Sequence, residues 1–499
     1  MNSQFPAIVI ICPLTISFLI FISGWWFRRA AFALAIGALA VCTGVSGAIL
    51  KTVARQGVIA YRLGGWPPPW GLEYRIDHLN AIMLVLVSLL SLLAAVHAQK
   101  SVTREMPEKS NLFWGLFILM ITGLLGICIT GDLFNLFVML EVAALSGYAL
   151  IAMGTSGALY ASFRYLLMGT LGACFYLLGV GYLYLATGSL NMADLAGILP
   201  QIYHSKVVLA GFTFIMIGLG IKMALFPLHA WLPDAYTRAP AAVSATVAPL
   251  VTKVMAYVAV RVMFTVFKPE FSIGLLGIND LLVWVGSAAI LFGAVMALSQ
   301  NDFKRMLSYI IIAEMGYIVG GIGVANAIAL QGVIFHILND ALMMACLFLV
   351  AAQIRHQTGG TGISHFQGFF KSMPMTAFTF TVGALAVIGV PPACGFFSKW
   401  YLLLGGIQAK QWGVVAALMI CTLINVALFF RIFDKGLYTH AADNHTVPSE
   451  TDKRPDTGGE APLSMLVPTS ILAVLILLVG VFNQIIINTV IRFAVPPGL

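Results

Sequence analysis

The sequence predicts an all-α polytopic membrane protein of about 14 transmembrane helices, with two inverted five-helix repeats that each contain an interrupted helix. Three observations lead there. Of the 499 residues, 60% are hydrophobic and only 9% are charged, whereas a soluble domain carries about 25% charged residues. Apolar runs of about 20 residues, the length that crosses a bilayer, recur along the whole chain. Two of the longest runs are broken by glycine and proline, at corresponding places in two halves of the sequence.

The runs lie near 6–26, 30–50, 78–98, 111–130, 132–152, 162–187, 207–232, 240–266, 275–298, 306–323, 325–353, 376–404, 412–437 and 462–487. The first lacks a basic leader and a small-residue cleavage site, so it reads as a retained helix and not a removed signal peptide. The loop at 51–77, with GGWPPPWGLEYRID, is rich in Pro and Trp and reads as packed on the surface. The stretch THAADNHTVPSETDKRPDTGGEA within 438–461 is polar enough to be disordered. The segment at 207–232 contains Gly218, Gly220 and Pro227, and that at 376–404 contains Gly389, Pro391, Pro392 and Gly395. Paired interruptions of this kind point to an inverted-repeat transporter. The organisation that follows is helices 1–3 in 1–110, a first repeat in 111–266, a second in 275–437, the polar loop at 438–461 and a last helix in 462–499.

The net charge of +8 is spread over short loops, so it reads as headgroup anchoring and not as nucleic-acid binding. With the N-terminus outside, the inner loops hold fifteen Lys and Arg and the outer segments nine. That bias favours both termini outside. All seven cysteines, Cys12, Cys42, Cys128, Cys174, Cys346, Cys394 and Cys421, lie in apolar runs without metal or redox spacing, and read as small core residues. No HExxH, GxSxG or phosphate-binding loop occurs, and nothing marks a quinone, flavin or nucleotide site. The expected cofactor and metal sets are therefore empty, and the chain has no catalytic centre of its own.

What stands out in so apolar a chain is charge. Lys222, Lys253 and Lys399 each fall inside a segment that lipid would surround, and Glu141 is an acid at the same depth. A charge there costs several kcal/mol even on lenient scales, so it needs a partner or water. Lys222 and Lys399 sit on the two interrupted segments. Glu141 with Lys222 is either a proton switch that is made and broken or a static bridge between helices. Lys253 has no acid near it in sequence, and Glu314 is the mid-helix carboxylate that could face it. His336 and Asp340 are spaced i,i+4 on one helix face. With Lys399 they form a candidate relay of Lys253, Glu314, His336, Asp340 and Lys399, in which histidine can pass a proton through either ring nitrogen. His229, just after Pro227, is either an intake group or a cap. Asp132 reads as the cap of the helix that follows it, and Glu73, Asp77 and His78 as loop and helix start.

The segments FNLFVMLEVAALSGYALIA, GIKMALFPLHAWLPDAYTRAPAAVSA, PLVTKVMAY, NDFKRMLSYIIIAEMGYI and PPACGFFSKW resemble the antiporter-like subunits of respiratory complex I and of Mrp-type cation/proton antiporters, the D-type Mrp component above all. The resemblance spans roughly 70–437. It implies fourteen core helices with two inverted five-helix repeats, and it casts Glu141 and Lys222 as the input pair, Lys253 as the bridge and Lys399 as the exit-side group. The chain departs from that pattern in two places. Many relatives carry a lysine where this chain has Met344, and an uncharged residue or histidine where it has Glu314. The function implied is proton translocation, with or without sodium exchange, by a multi-pass subunit in the cell inner (plasma) membrane. Its partners would be other membrane subunits of a larger complex. A redox-driven host complex, of the membrane-bound hydrogenase or NADH dehydrogenase kind, and a stand-alone solute transporter remain the alternatives.

Overall fold

In a computed structural model, residues 4–23, 30–154, 157–437 and 459–496 are described. Arg28, Arg29 and nearly all of the polar loop expected at 438–461 lie outside them. Twelve helices among the described residues are long and apolar enough to cross a membrane. The two interrupted segments add two more crossings, which makes the fourteen expected.

The chain opens with α1 (Phe5–Ser23) and α2 (Ala30–Gln56), then α3 (His78–Glu105), which begins at an Asp77 capping box. The five segments that follow are α4 (Ser110–Ile129), α5 (Leu133–Ala152), α6 (Ala158–Thr187) with the short α7 (Met192–Ile198) after it, the broken pair α8 (Lys206–Lys222) and α9 (Leu232–Arg238), and α10 (Ala241–Arg261). A π-helical turn, Val262–Val266, continues α10 to the expected end. The next five are α11 (Asn279–Leu298), α12 (Phe303–Val324), α13 (Ala327–Thr358), the broken pair α15 (Pro374–Ile388) and α16 (Cys394–Gln408) preceded by the short α14 (Phe369–Ser372), and α17 (Trp412–Leu437). The last crossing is α18 (Leu463–Val481). One departure from an all-helical chain is a two-stranded antiparallel ribbon, β1 (Ile59–Arg62) with β2 (Glu73–Ile76), which folds the Pro- and Trp-rich loop back on itself. Its β2 strand is docked through a bridge between Tyr74 and Thr130, but the tip is not packed as expected, with Trp66 67% and Trp70 86% exposed.

The same corner is built twice. Asp132 caps α5 by accepting from the Asn135 N–H, and its backbone pairs with Asn191; Asp302 caps α12 by accepting from the Arg305 N–H and pairs with Gly362. In each corner the residue after the aspartate donates to the loop that follows the third helix of its group, Leu133 to Leu190 and Phe303 to Thr361. The first corner lies by Glu73, at the end of α10 where Arg261 meets Asp77. The second lies at the other end, where Lys304 Nζ donates to the Ala239 carbonyl just before α10 begins. One motif at opposite ends of one helix is what an inverted repeat requires.

The breaks in α8 and α15 leave carbonyls that lipid cannot satisfy, so protein must. Trp231 Nε1 donates to the Ile221 carbonyl at 3.0 Å and Lys399 Nζ to the Val387 carbonyl at 2.5 Å; past the second break, Asn339 Nδ2 ties the start of α16 through the Cys394 carbonyl at 2.9 Å. Three helices form the centre: α10, α12 and α13 are buried over 94%, 100% and 94% of their apolar windows, whereas α1 and α2 are buried over only 39% and 33%. A helix apolar all round belongs in such a core. Of the cysteines read as core, Cys174 is instead exposed on α6 and Cys12 half-buried, because an apolar residue is equally at home against lipid.

Close approach of α6 and α8 depends on glycine. A Cβ at Gly218 would lie 2.6 Å from the Gly172 carbonyl and 2.7 Å from the Tyr176 nitrogen. Both are backbone atoms and cannot move aside alone. Gly218→Ala should therefore destabilise the protein by about 1–3 kcal/mol, seen as a lower unfolding temperature in detergent. Gly181→Ala, where a Cβ meets nothing within 4 Å, should leave that temperature unchanged.

Candidate functional site

Asp132 fixes the start of α5, and Glu141 follows on its third turn. Lys222 is the last residue of α8, where a cation suits the helix C-terminus. Lys222 Nζ donates to Glu141 Oε1 at 3.0 Å; the lysine side chain is 6% exposed and the glutamate 24%. Beside the pair is a cavity of about 20 Å³, lined by Lys222, Tyr165, Leu140, Val251 and Met255 among others. That is room for one water. Val251 and Met255 flank Lys253 in sequence, so the cavity lies between the first charge pair and α10.

The second group of charges sits where α10, α12, α13 and α16 meet. Lys253 Nζ is 2.8 Å from Asp340 Oδ2, and both side chains are fully buried. His336 Nε2 is 2.6 Å from Glu314 Oε2, also fully buried. Lys399 Nζ is 3.8 Å from Glu314 Oε1, lies 5.0 Å from the centre of the Tyr317 ring and donates to the Val387 carbonyl. His336 Nδ1 faces Ser398 Oγ at 3.1 Å. The five residues expected to form a relay are thus brought together, with one correction to their pairing. Glu314 does not serve Lys253; Asp340 does, because α13 packs directly on α10 while Glu314 on α12 turns toward α13 and α16.

The arithmetic of charge is the informative property of this cluster. Three bases, Lys253, His336 and Lys399, share two carboxylates, Asp340 and Glu314. Buried charge is tolerated only when neutralised. Asp340 is committed to Lys253, so Glu314 can balance one of His336 and Lys399 but not both. Two bases therefore flank a single carboxylate. The Lys253–Asp340 and Glu314–His336 contacts are both shorter than 3 Å. Thr252 Oγ1, Asn339 Oδ1 and the Tyr317 hydroxyl, all buried nearby, lack a hydrogen-bond partner among the described residues. Buried polar atoms of this kind bond to water.

His229 lies in the break between α8 and α9, against the rings of Phe226 and Phe292, with Nδ1 unpartnered among the described residues. It caps no helix, since α9 starts after Trp231. Asp132 is the cap it was read to be, and Asp77 is a cap that also binds Arg261. Four contributors escaped the sequence reading: Ser398 and Tyr317 around His336 and Lys399, the Arg261–Asp77 pair, and Asp234, which joins Arg164 at 2.6 Å to Arg305 at 3.3 Å. Tyr317 follows Glu314 by three positions, a helical spacing that held a signal for it, whereas Ser398 is adjacent to Lys399 and had none. Among the described residues no three His, Cys, Asp or Glu side chains gather to hold a metal ion.

A polytopic bundle with two broken helices and a buried file of acids and bases defines a class, the ion-translocating membrane subunits. The model of the family described as NADH:quinone oxidoreductase/Mrp antiporter, transmembrane, matches residues 130–425, and the chain belongs to that family. It is 43% identical to the N-type subunit of NADH-quinone oxidoreductase from Desulforudis audaxviator over 99% of both chains. It is 32% identical to the D-type Na(+)/H(+) antiporter subunit of Alkalihalophilus pseudofirmus over 76% of each. Among solved structures it superposes with a TM-score of 0.88 on a chain of the membrane-bound sulfane sulfur reductase, an archaeal respiratory membrane complex, at 30% identity and over 98% of this chain and 96% of that one.

Removing one member of a buried pair strands the other. Asp340→Ala, which leaves Lys253 charged and fully enclosed, should destabilise the protein by about 3–5 kcal/mol. Lys253→Met with Asp340→Leu should recover most of that loss. Thermal unfolding of the purified variants checks both.

Proposed function

We propose that this chain is a proton-translocating subunit of a multisubunit complex in the plasma membrane, built from repeat units at 111–266 and 275–437 with both termini on the outer side. The observation that carries the reading is the sharing of Glu314 between His336 and Lys399 in a core where Lys253 is already neutralised by Asp340. Glu141 and Lys222 form the input pair. When the pair loosens, Lys222 loses its counter-charge and its proton is free to leave. The cavity beside it supplies the step toward Lys253. A charge arriving at Lys253 disturbs Asp340, which lies one helical turn from His336. The proton on His336 then shifts past Glu314 to Lys399, which faces the break between α15 and α16. His229 stands at the other break as the intake group.

Sodium exchange is part of the antiporter reading, because one relative is named a Na(+)/H(+) antiporter component. A redox-driven host is the second reading. It is favoured by the relative named as part of NADH-quinone oxidoreductase, and by the likeness to a sulfane sulfur reductase complex. Isolation of the complex from its native membrane separates the two. Co-purifying iron–sulfur absorbance supports the redox host, and membrane subunits alone support the antiporter.

The relay is tested by its bases. Lys399→Arg keeps the charge but does not release the proton. It should slow translocation as severely as Lys399→Ala, by roughly a hundredfold, in vesicles carrying the assembled complex. His336→Ala should do the same. Wild-type rates in Lys399→Arg would mean that a fixed charge suffices at that position.

A further inference from the structure

Lys253 does not stand alone on α10. Tyr257 and Arg261 follow it at four-residue steps, so the three side chains share one helix face. This face leads away from the relay, toward the end of the bundle where the ribbon docks. It meets the start of α3 and the end of α4. Asn80 Nδ2 donates to the Tyr257 hydroxyl at 2.9 Å and to the Cys128 carbonyl at 2.5 Å, and the Tyr257 hydroxyl donates to the same carbonyl at 3.1 Å. Arg261 grips Asp77 with both Nη atoms, at 2.6 and 2.8 Å, and Asn80 Oδ1 at 2.5 Å. The Asp77 side chain is 30% exposed and that of Arg261 9%. A polar file of hydroxyl, amide, guanidinium and carboxylate thus begins at Tyr257, one helical turn beyond the central lysine, and ends at the part-exposed Asp77.

Such a file would be a liability in a proton carrier. It would drain Lys253 directly to that surface without passing His336, Glu314 or Lys399. Two features close it. Asn80 and Tyr257 have their donors and acceptors engaged with fixed partners, so neither can turn over to hand on a proton. Arg261 is a permanent cation that does not give up its proton, and a fixed positive charge in a narrow path excludes protons. We infer that Arg261, held by Asp77 and Asn80, is an electrostatic seal that blocks a proton shortcut from Lys253 to the ribbon end of the bundle. Eight residues of helix put the guanidinium about 12 Å beyond Lys253. At an effective dielectric of about 20, a unit charge at that distance weighs on a proton by about a factor of ten. The seal keeps the shortcut shut; it carries no proton itself.

The inference rests on the relay reading, and passive leak distinguishes the two. The measurement is proton uptake into vesicles carrying the assembled complex, with the driving reaction and coupling ion withheld. Arg261→Gln should raise passive uptake about tenfold. Arg261→Lys, which keeps the charge but not the bidentate grip on Asp77, should stay as tight as the wild type. Adding Lys253→Ala to Arg261→Gln should abolish the leak, since the shortcut starts at Lys253; Asp340→Leu accompanies Lys253→Ala throughout, so that no unpaired carboxylate is left buried. If Arg261→Gln alone does not assemble, Asp77→Asn is combined with it, so that no unpaired charge is left buried, and the double variant should leak in its place. A tight neutral variant overturns the seal. So does an Arg261→Lys variant as leaky as Arg261→Gln, which would make the residue a packing tie between α3 and α10. A leak that survives Lys253→Ala overturns it as well. Failure of the relay has another signature, unchanged driven uptake in Lys253→Ala whatever the leak.

Discussion

A charge placed at bilayer depth has to be neutralised by the chain that carries it. Much of this architecture follows from that requirement. Lys222, Lys253 and Lys399 each need an acid, and each acid comes from another helix: Glu141 on α5, Asp340 on α13, Glu314 on α12. Meeting those demands forces α10, α12 and α13 into the centre, where they are buried over nearly all of their apolar windows. The same requirement explains why the broken helices hold two of the lysines. A break exposes carbonyls, a lysine can satisfy one, and Lys399 does so at Val387.

Neutralisation is not complete, and the shortfall is where function enters. Two of the lysines have an acid each. Glu314 answers to both a histidine and a lysine, and can balance one of them at a time. Full pairing would give a rigid bundle with nothing to move. A larger imbalance would expel a charge to water or empty a base of its proton. In this core a single carboxylate, enclosed at 0% exposure, is shared between two bases.

The fourteen crossings and the charged residues within them were legible in the sequence, because a lysine in a run such as APLVTKVMAYVAV has nothing around it to explain it away. The paired breaks were legible for the same reason, as prolines where a helix must pass. What could not be read was which acid faces which base. That depends on the rotation of α12 and α13 about their axes, which tight packing decides. In the glycine seam of α11 and α12, a Cβ at Gly286 would lie 2.4 Å from the Gly320 nitrogen. Helices apolar on every side give no periodic clue to such a rotation. Asp340 was thus placed on one face with His336 but not matched to Lys253. Arg261 is one of the nine outer Lys and Arg, and an arginine near a helix end usually anchors to headgroups, so its sequence position carries no hint of a partner. Its partner Asp77 lies 184 positions away in sequence, and no local pattern links the two. The ribbon was hidden for a different reason. Strands of four residues within a Pro- and Trp-rich loop carry too short a pattern to register.

The bond from Lys399 to the Val387 carbonyl makes the joint between α15 and α16 a mechanical element as well as an electrical one. A protonated lysine holds that carbonyl with a charge-assisted bond, roughly twice as strong as a neutral one. An uncharged side chain there would make a weaker clasp and leave the two half-helices freer to flex about Gly389, whose φ of +94° marks the turn. The charge on Lys399 thus bears on the stiffness of the joint between the two half-helices.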